Sequence, residues 1–166
     1  CIEMGIKLCV DGAQSVGMIN LDLDAMKVDY YTMSGHKWLF GAKGTGILYI
    51  GKNELEKLEA THVGAYSDAN FDFRNQVFEP RKDAVRFEYG TRNMSSLAAL
   101  SAGCTFLTEL GMDKIENRGR QLVSTLRNQI QDSVEIITPE KPEFHGSILT
   151  FRVPNMEHKL AQEKIQ

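Results

Sequence analysis

A single lysine stands in an unusual place. In Thr32-Met33-Ser34-Gly35-His36-Lys37-Trp38 a strand-like run, Val28 to Tyr31, gives way to small and polar residues, and Lys37 follows between an imidazole and an indole. A Ser-Gly-His-Lys string alone is more often a solvated turn than a site. Upstream, the apolar run Leu8-Cys9-Val10 ends in Asp11-Gly12-Ala13-Gln14-Ser15, so an acid also lies at a strand end. A lysine amine condenses with an aldehyde, and a carboxylate suits the nitrogen of a protonated pyridine ring. The pair points to carbonyl chemistry, with a solvated lysine and a turn-capping aspartate as the plain alternatives.

The elements between them bring the two together. Leu21 to Met26 reads as a short helical segment and Val28 to Tyr31 as the next strand, which makes a strand, helix, strand unit with parallel strands. Ligands of such sheets bind beyond the carboxyl ends of the strands, so Asp11 and Lys37 are expected on one crevice.

Four ordered motifs carry a resemblance. Asp11 to Gly17, Asp29-Tyr30-Tyr31, Ser34 to Leu39 and Gly41-Ala42-Lys43-Gly44-Thr45-Gly46-Ile47-Leu48-Tyr49 together resemble the core of the class V aminotransferase family. Arg86-Phe87-Glu88-Tyr89-Gly90-Thr91-Arg92-Asn93 resembles the family's later Gly-Thr element. The resemblance implies pyridoxal 5'-phosphate as cofactor and a fold type I, three-layer α/β sandwich with a mostly parallel sheet. It also implies a small amino acid as substrate and aminotransferase, cysteine desulfurase or epimerase chemistry.

Roles follow residue by residue from that resemblance. Lys37 becomes the Schiff-base lysine and the base that moves the substrate's α-proton. Asp11 pairs with the pyridinium nitrogen, Gln14 with the ring hydroxyl oxygen, and Ser34 and His36 with the phosphate. Thr91 is expected against the phosphate of a partner subunit, which implies a homodimer with shared sites. Each has a plainer reading: a polar turn residue for Gln14, an orienting hydrogen bond for His36, a strand-end threonine in a Gly-Thr turn for Thr91. Arg86 and Arg92 suit a carboxylate or phosphate, although a solvated or salt-bridged arginine is the commoner case. A catalytically inactive fragment or interaction domain that keeps the fold without cofactor is the alternative from another class.

Composition bounds the partners. The chain of 166 residues has a net charge of -3 and is 42% hydrophobic, enough for a buried core but without a basic face for nucleic acid or a polybasic segment for membranes. Its apolar runs are strand-sized and none spans a bilayer. Cys1, Cys9 and Cys104 are odd in number, widely spaced and outside any metal pattern, which favours reduced thiols in a cytoplasmic protein. The opening without Met and the close inside a charged helical stretch suggest an internal piece of a longer protein. Residues 1–131 are expected to be the carboxyl-terminal portion of the cofactor-binding large domain, and 132–166 the truncated start of a small one.

Further along, Gly41, Gly44 and Gly46 mark a tight turn into a strand, Ile47 to Ile50. Asn53 with Glu56 suggests a capped short helix, and 61–83 reads as a long loop. Ser95 or Ser96 is expected to cap a buried helix from about Leu97 to Leu110 that Gly111 ends. An amphipathic helix follows with Ile115, Leu122, Leu126 and Ile130 on one face. Val134 to Ile137 and Ser147 to Val153 read as two strands around a loop containing Pro139 and Pro142.

Overall fold

The structure, a computed structural model, describes residues 1–165. The strand, helix, strand unit forms as expected, although its second strand begins and ends later than the expected Val28 to Tyr31. Strand β1 (Cys9–Asp11) lies parallel to β2 (Tyr30–Ser34), with Cys9 opposite Tyr30 and Asp11 opposite Thr32. The crossover contains α1 (Leu23–Met26), where the Asp22 carboxylate accepts from Ala25 N at 2.9 Å and satisfies one orphan donor of the first turn.

Strand β3 (Gly46–Ile50) then returns antiparallel to β2, Ser34 opposite Gly46 and Tyr30 opposite Ile50. The chain is thus α/β, and its three-stranded sheet, ordered β1-β2-β3, holds one parallel and one antiparallel pairing. The reason is length. The link from 35 to 45 is too short for a parallel crossover, which needs a dozen or more residues, so the chain turns back on itself.

Several local expectations are corrected. The short helix α2 (Lys52–Leu55) has Gly51 at its N-cap and no side-chain cap, two residues too early for Asn53 to serve. Residues 61–83 are not all loop. They contain a hairpin of β4 (Asp68–Asp72) and β5 (Val77–Pro80), whose turn is held by Asp72 accepting from Arg74 N and Asn75 N. Polar composition hid a hairpin that lies largely in solvent.

Helix α3 (Met94–Leu110) starts earlier than expected, because Asn93 rather than a serine caps it, accepting from Ser96 N at 3.1 Å. It is buried on one stripe only. Leu100, Gly103 and Leu107 are buried, while Leu97, Phe106 and Leu110 face solvent. Gly111, at φ 92°, ends it and opens α4 (Met112–Ile130). On α4 the inward residues are Gly119 and Val123, whereas Leu122 and Leu126 are exposed, so the expected apolar face is only partly the buried one.

The two late strands are shorter than expected: β6 (Glu135–Ile136) pairs antiparallel with β7 (Phe151–Arg152). Arg127 of α4 donates to Thr138 O and Pro139 O and holds their connecting loop against the helix. Helix α5 (His158–Ile165) closes the described chain. One cluster of the core lies directly under the turn after β2. Leu39, Leu100 and Leu107 pack together, with Val16, Cys104, Met112 and Ile115 around them. The residue two positions after Lys37 is therefore a core residue.

Candidate active site

Asp11 is the last residue of β1, and the backbone turns directly after it. Asp11 Oδ1 accepts from Ala13 N at 3.0 Å, and Gly12 N donates to Thr32 O at 2.9 Å, which anchors the turn to β2. Glycine is required at position 12. A Cβ there would lie 1.8 Å from the ring of Tyr31, which is buried beneath the turn with its hydroxyl hydrogen-bonded to Ser15 Oγ. The cap expected as the plain alternative for Asp11 is present on one carboxylate oxygen, and Asp11 itself is exposed.

The second rim is the turn after β2. Ser34 ends the strand, Gly35 is buried, and Gly35 N donates to Thr45 O at 2.9 Å. Gly41 N then donates to Gly35 O at 2.7 Å, so the segment from 35 to 41 is closed into a compact loop carrying His36 and Lys37 at its outer side. His36 is exposed; Ser34 and Lys37 are half-buried. Neither Asp11 nor Lys37 forms an ion pair among the described residues. A lysine amine outside any ion pair and an exposed carboxylate on the adjoining turn can both be offered to a ligand.

The two rims are joined. Trp38 Nε1 donates to Gln14 Oε1 at 3.0 Å, and Gly17, at φ 89°, lies so close to the Trp38 carbonyl that a Cβ would come within 2.4 Å of it. The structure thereby brings Asp11, Gln14, Ser34, His36 and Lys37 to the end of the parallel strand pair. The part of Trp38 was not foreseen; the signal was the only tryptophan of the chain standing beside the only candidate lysine.

Thr91 lies elsewhere. It is exposed, after Gly90 at φ 89°, whose N–H donates to Ala65 O at 3.0 Å. No hydrogen bond ties it to the Asp11 and Lys37 rims among the described residues. Its loop borders a cleft with Lys43, Gly44, Thr45, Gly46 and the start of α3.

The two arginines resolve differently. Arg86 is buried and donates to Leu55 O, Leu58 O and Lys82 O, with its guanidinium 4.6 Å from the Phe87 ring centroid. It is a structural arginine, because its donors are spent on carbonyls. Arg92 pairs with Glu88 at 3.1 Å and lies 5.1 Å from the Tyr66 ring centroid, while its Nε is buried without a partner.

Known proteins extend this picture. A family model, Aminotransferase class-V, matches residues 1–165. A probable cysteine desulfurase of Pyrococcus abyssi (strain GE5 / Orsay) is 34% identical over 154 residues, covering 92% of this chain and 38% of that protein. The isopenicillin N epimerase of Streptomyces clavuligerus is 34% identical over 157 residues, covering 90% of this chain and 39% of that protein. Among solved structures, a lysine-to-alanine variant of C-DES with glycine covalently linked to its PLP cofactor superposes at a TM-score of 0.84 and 26% identity, over 96% of this chain and 42% of that one. The chain spans about two fifths of the length of these relatives. With its parallel strand pair, its acid and its lysine at the strand ends, and a family model that covers all but its last residue, the chain belongs to the class V aminotransferase family.

Proposed function

We propose that this chain forms the lysine-bearing part of a pyridoxal 5'-phosphate enzyme acting on a small amino acid. The observation that carries the reading is the placement of Asp11 and Lys37 on adjoining turns at the ends of parallel β1 and β2. The residues present fit the cofactor. Asp11 is exposed with one oxygen engaged by Ala13 N, and Gln14, Ser34 and His36 provide donors around the same rim.

When bound, pyridoxal 5'-phosphate supplies an aldehyde for a lysine amine and a ring that accepts electrons from the substrate's α-carbon. Lys37 is the amine that would hold the aldehyde, and its nitrogen would be the base for the substrate's α-proton. The free oxygen of Asp11 keeps the ring nitrogen protonated. Ser34 and His36 bind the phosphate, and Gln14 positions the ring through its amide. Thr91, exposed on its own loop, contributes to the phosphate site of a second copy, so that the working unit is a homodimer. Residues 1–131 belong to the large domain and 132–166 begin the small one. The unpaired thiols Cys1, Cys9 and Cys104 suit the reducing cytoplasm. No helix is long and apolar enough to cross a membrane among the described residues.

Whether the reaction is desulfuration, epimerisation or transamination depends on groups that approach the α-carbon and the side chain of the substrate. Relatives of both the first two kinds match this chain about equally. The test is direct. The chain is incubated with pyridoxal 5'-phosphate, reduced with borohydride and digested, and the modified lysine is located by mass spectrometry. A dominant adduct on Lys37 over the remaining lysines is expected; an even spread would remove Lys37 from its role.

A further inference from the structure

A lysine on a turn has a flexible four-carbon stem, so its placement depends on how firmly the turn is seated. Here the seat is a helix. The turn after Lys37 drives Leu39 into the cluster of Leu100 and Leu107, which sit one turn either side of Gly103 on α3. The contact at Gly103 is backbone on backbone. A Cβ at position 103 would lie 2.2 Å from Leu39 O and 3.2 Å from Phe40 C. No rotamer change relieves such a clash, because the obstructing atoms belong to the main chain.

Helices disfavour glycine in their interior, since alanine loses less backbone entropy there. Gly103 lies ten residues into a helix of 17, far from either cap, so helix formation does not explain it. The close approach of Leu39 O does. The turn has little slack to yield, since Phe40 already holds a left-handed conformation at φ 56°, which is strained for a residue of its size.

Resting on the role of Lys37 as the aldehyde-binding amine, we propose that Gly103 is a positioning residue for that lysine: the missing side chain at 103 sets how deeply the lysine-bearing turn sinks onto α3. An added methyl must lift the turn by about 1 Å to reach an ordinary contact, and a displacement of that size is enough to lower a positioned reaction on the order of a hundredfold. Because α3 is capped by Asn93, two residues after Thr91, the same helix carries the loop of Thr91 and the seat of Lys37.

The test compares Gly103→Ala with Leu107→Ala in the same chain. Leu107→Ala empties the core beneath the turn without adding an atom against it. Three quantities are read: the thermal midpoint, the emission of Trp38, which is the only tryptophan, and the share of pyridoxal 5'-phosphate adduct, after borohydride reduction, that falls on Lys37. Gly103→Ala is expected to keep its helical circular dichroism and lose less stability than Leu107→Ala, yet to shift the Trp38 emission and cut the Lys37 share at least several-fold. Lys37 shares that fall only in proportion to stability in the two variants overturn the inference. So does an unchanged emission in Gly103→Ala.

If Gly103→Ala does not fold, Gly103→Ala/Phe40→Gly gives the turn freedom to move outward. A folded double variant with low Lys37 selectivity supports the seat, and one with normal selectivity overturns it. An even adduct spread in the unsubstituted chain removes the role of Lys37 instead, while the emission of Trp38 still decides whether Gly103 holds the turn.

Discussion

The indole Nε1 of Trp38 donates to Oε1 of Gln14 at 3.0 Å, across the gap between the turn after β1 and the turn after β2. An indole can only donate, so the amide oxygen of Gln14 faces it, and the amide NH2 has no hydrogen-bond acceptor among the described residues. That orientation suits a bond to an acidic ring oxygen. Removal of the amide in Gln14→Ala is expected to cost about 0.5–1.5 kcal/mol, as for an ordinary neutral hydrogen bond, and to move the Trp38 emission to longer wavelength. A urea titration followed by fluorescence reads both, and an unmoved spectrum would mean that the bond does not order the turn.

Asp11 accepts from Ala13 N, and the proposed function gives it a ring nitrogen as a second partner; substitution separates the two. Asn retains an oxygen for Ala13 N, so Asp11→Asn is expected to fold normally, whereas Asp11→Ala loses the cap as well and about 1 kcal/mol with it. Both lose the charge that the proposed function assigns to keeping a ring nitrogen protonated. Turnover by the enzyme containing this chain is expected to fall by on the order of a hundredfold or more in either. Full activity in Asp11→Asn would reduce the carboxylate to a turn cap.

Arg86 offers a contrasting prediction, since it resembles an anion binder only in the sequence. Its guanidinium is shared among three carbonyls, and Arg86→Met takes the donor from all three part-buried bonds. A loss on the order of 3 kcal/mol is expected, read by thermal unfolding. The Lys37 share of the cofactor adduct should not change at temperatures where the variant is folded. A selective loss of that adduct at full stability would return Arg86 to the site.

The range of each interaction decides how much of it was legible in the sequence. The end of β1 was legible because Leu8-Cys9-Val10 is an apolar stretch stopped by small polar residues, a local signal, whereas β2 runs on to Ser34, three residues past the expected Val28 to Tyr31. The Asn93 cap was misplaced onto a serine because Ser95 and Ser96 satisfy the same local rule one turn later. The hairpin of β4 and β5 was missed because Phe71, Phe73 and Phe78 point to solvent and leave no alternation between a buried and a polar face. Leu122 and Leu126 misled for the converse reason: helical spacing marks an apolar face but does not say how much of it is covered. Gly103 could not be read at all. The need for a glycine there arises from Leu39, a residue distant in sequence, and only the packed structure shows the two backbones in contact.

A carboxylate outside the site should govern part of the acid stability. Glu54 lies in the first turn of α2 with its side chain only 6% exposed, and Lys7 Nζ at 2.5 Å and Lys57 Nζ at 2.9 Å both reach Oε1. The hydrogen bond from Lys7, followed by that from Lys57, holds the Glu54 carboxyl below its ordinary value against the opposing effect of burial. With the folded value depressed, the unfolded chain binds the proton first as pH falls. The stabilisation is therefore complete above the ordinary glutamate range and is lost on acidification from that range down through the folded value. Glu54→Gln removes this contribution and is expected to lower the thermal midpoint by several degrees near neutral pH. Asp72, Asp83 and Glu116 are depressed as well, by bonds from Asn75, from Arg81 and from Asn20 N, so the whole protein weakens in acid whatever Glu54 does. The informative quantity is the difference between the two melting curves. It should shrink as the pH is taken below the ordinary glutamate range, and a difference that stays constant there would show that Lys7 and Lys57 contribute nothing through the charge of Glu54.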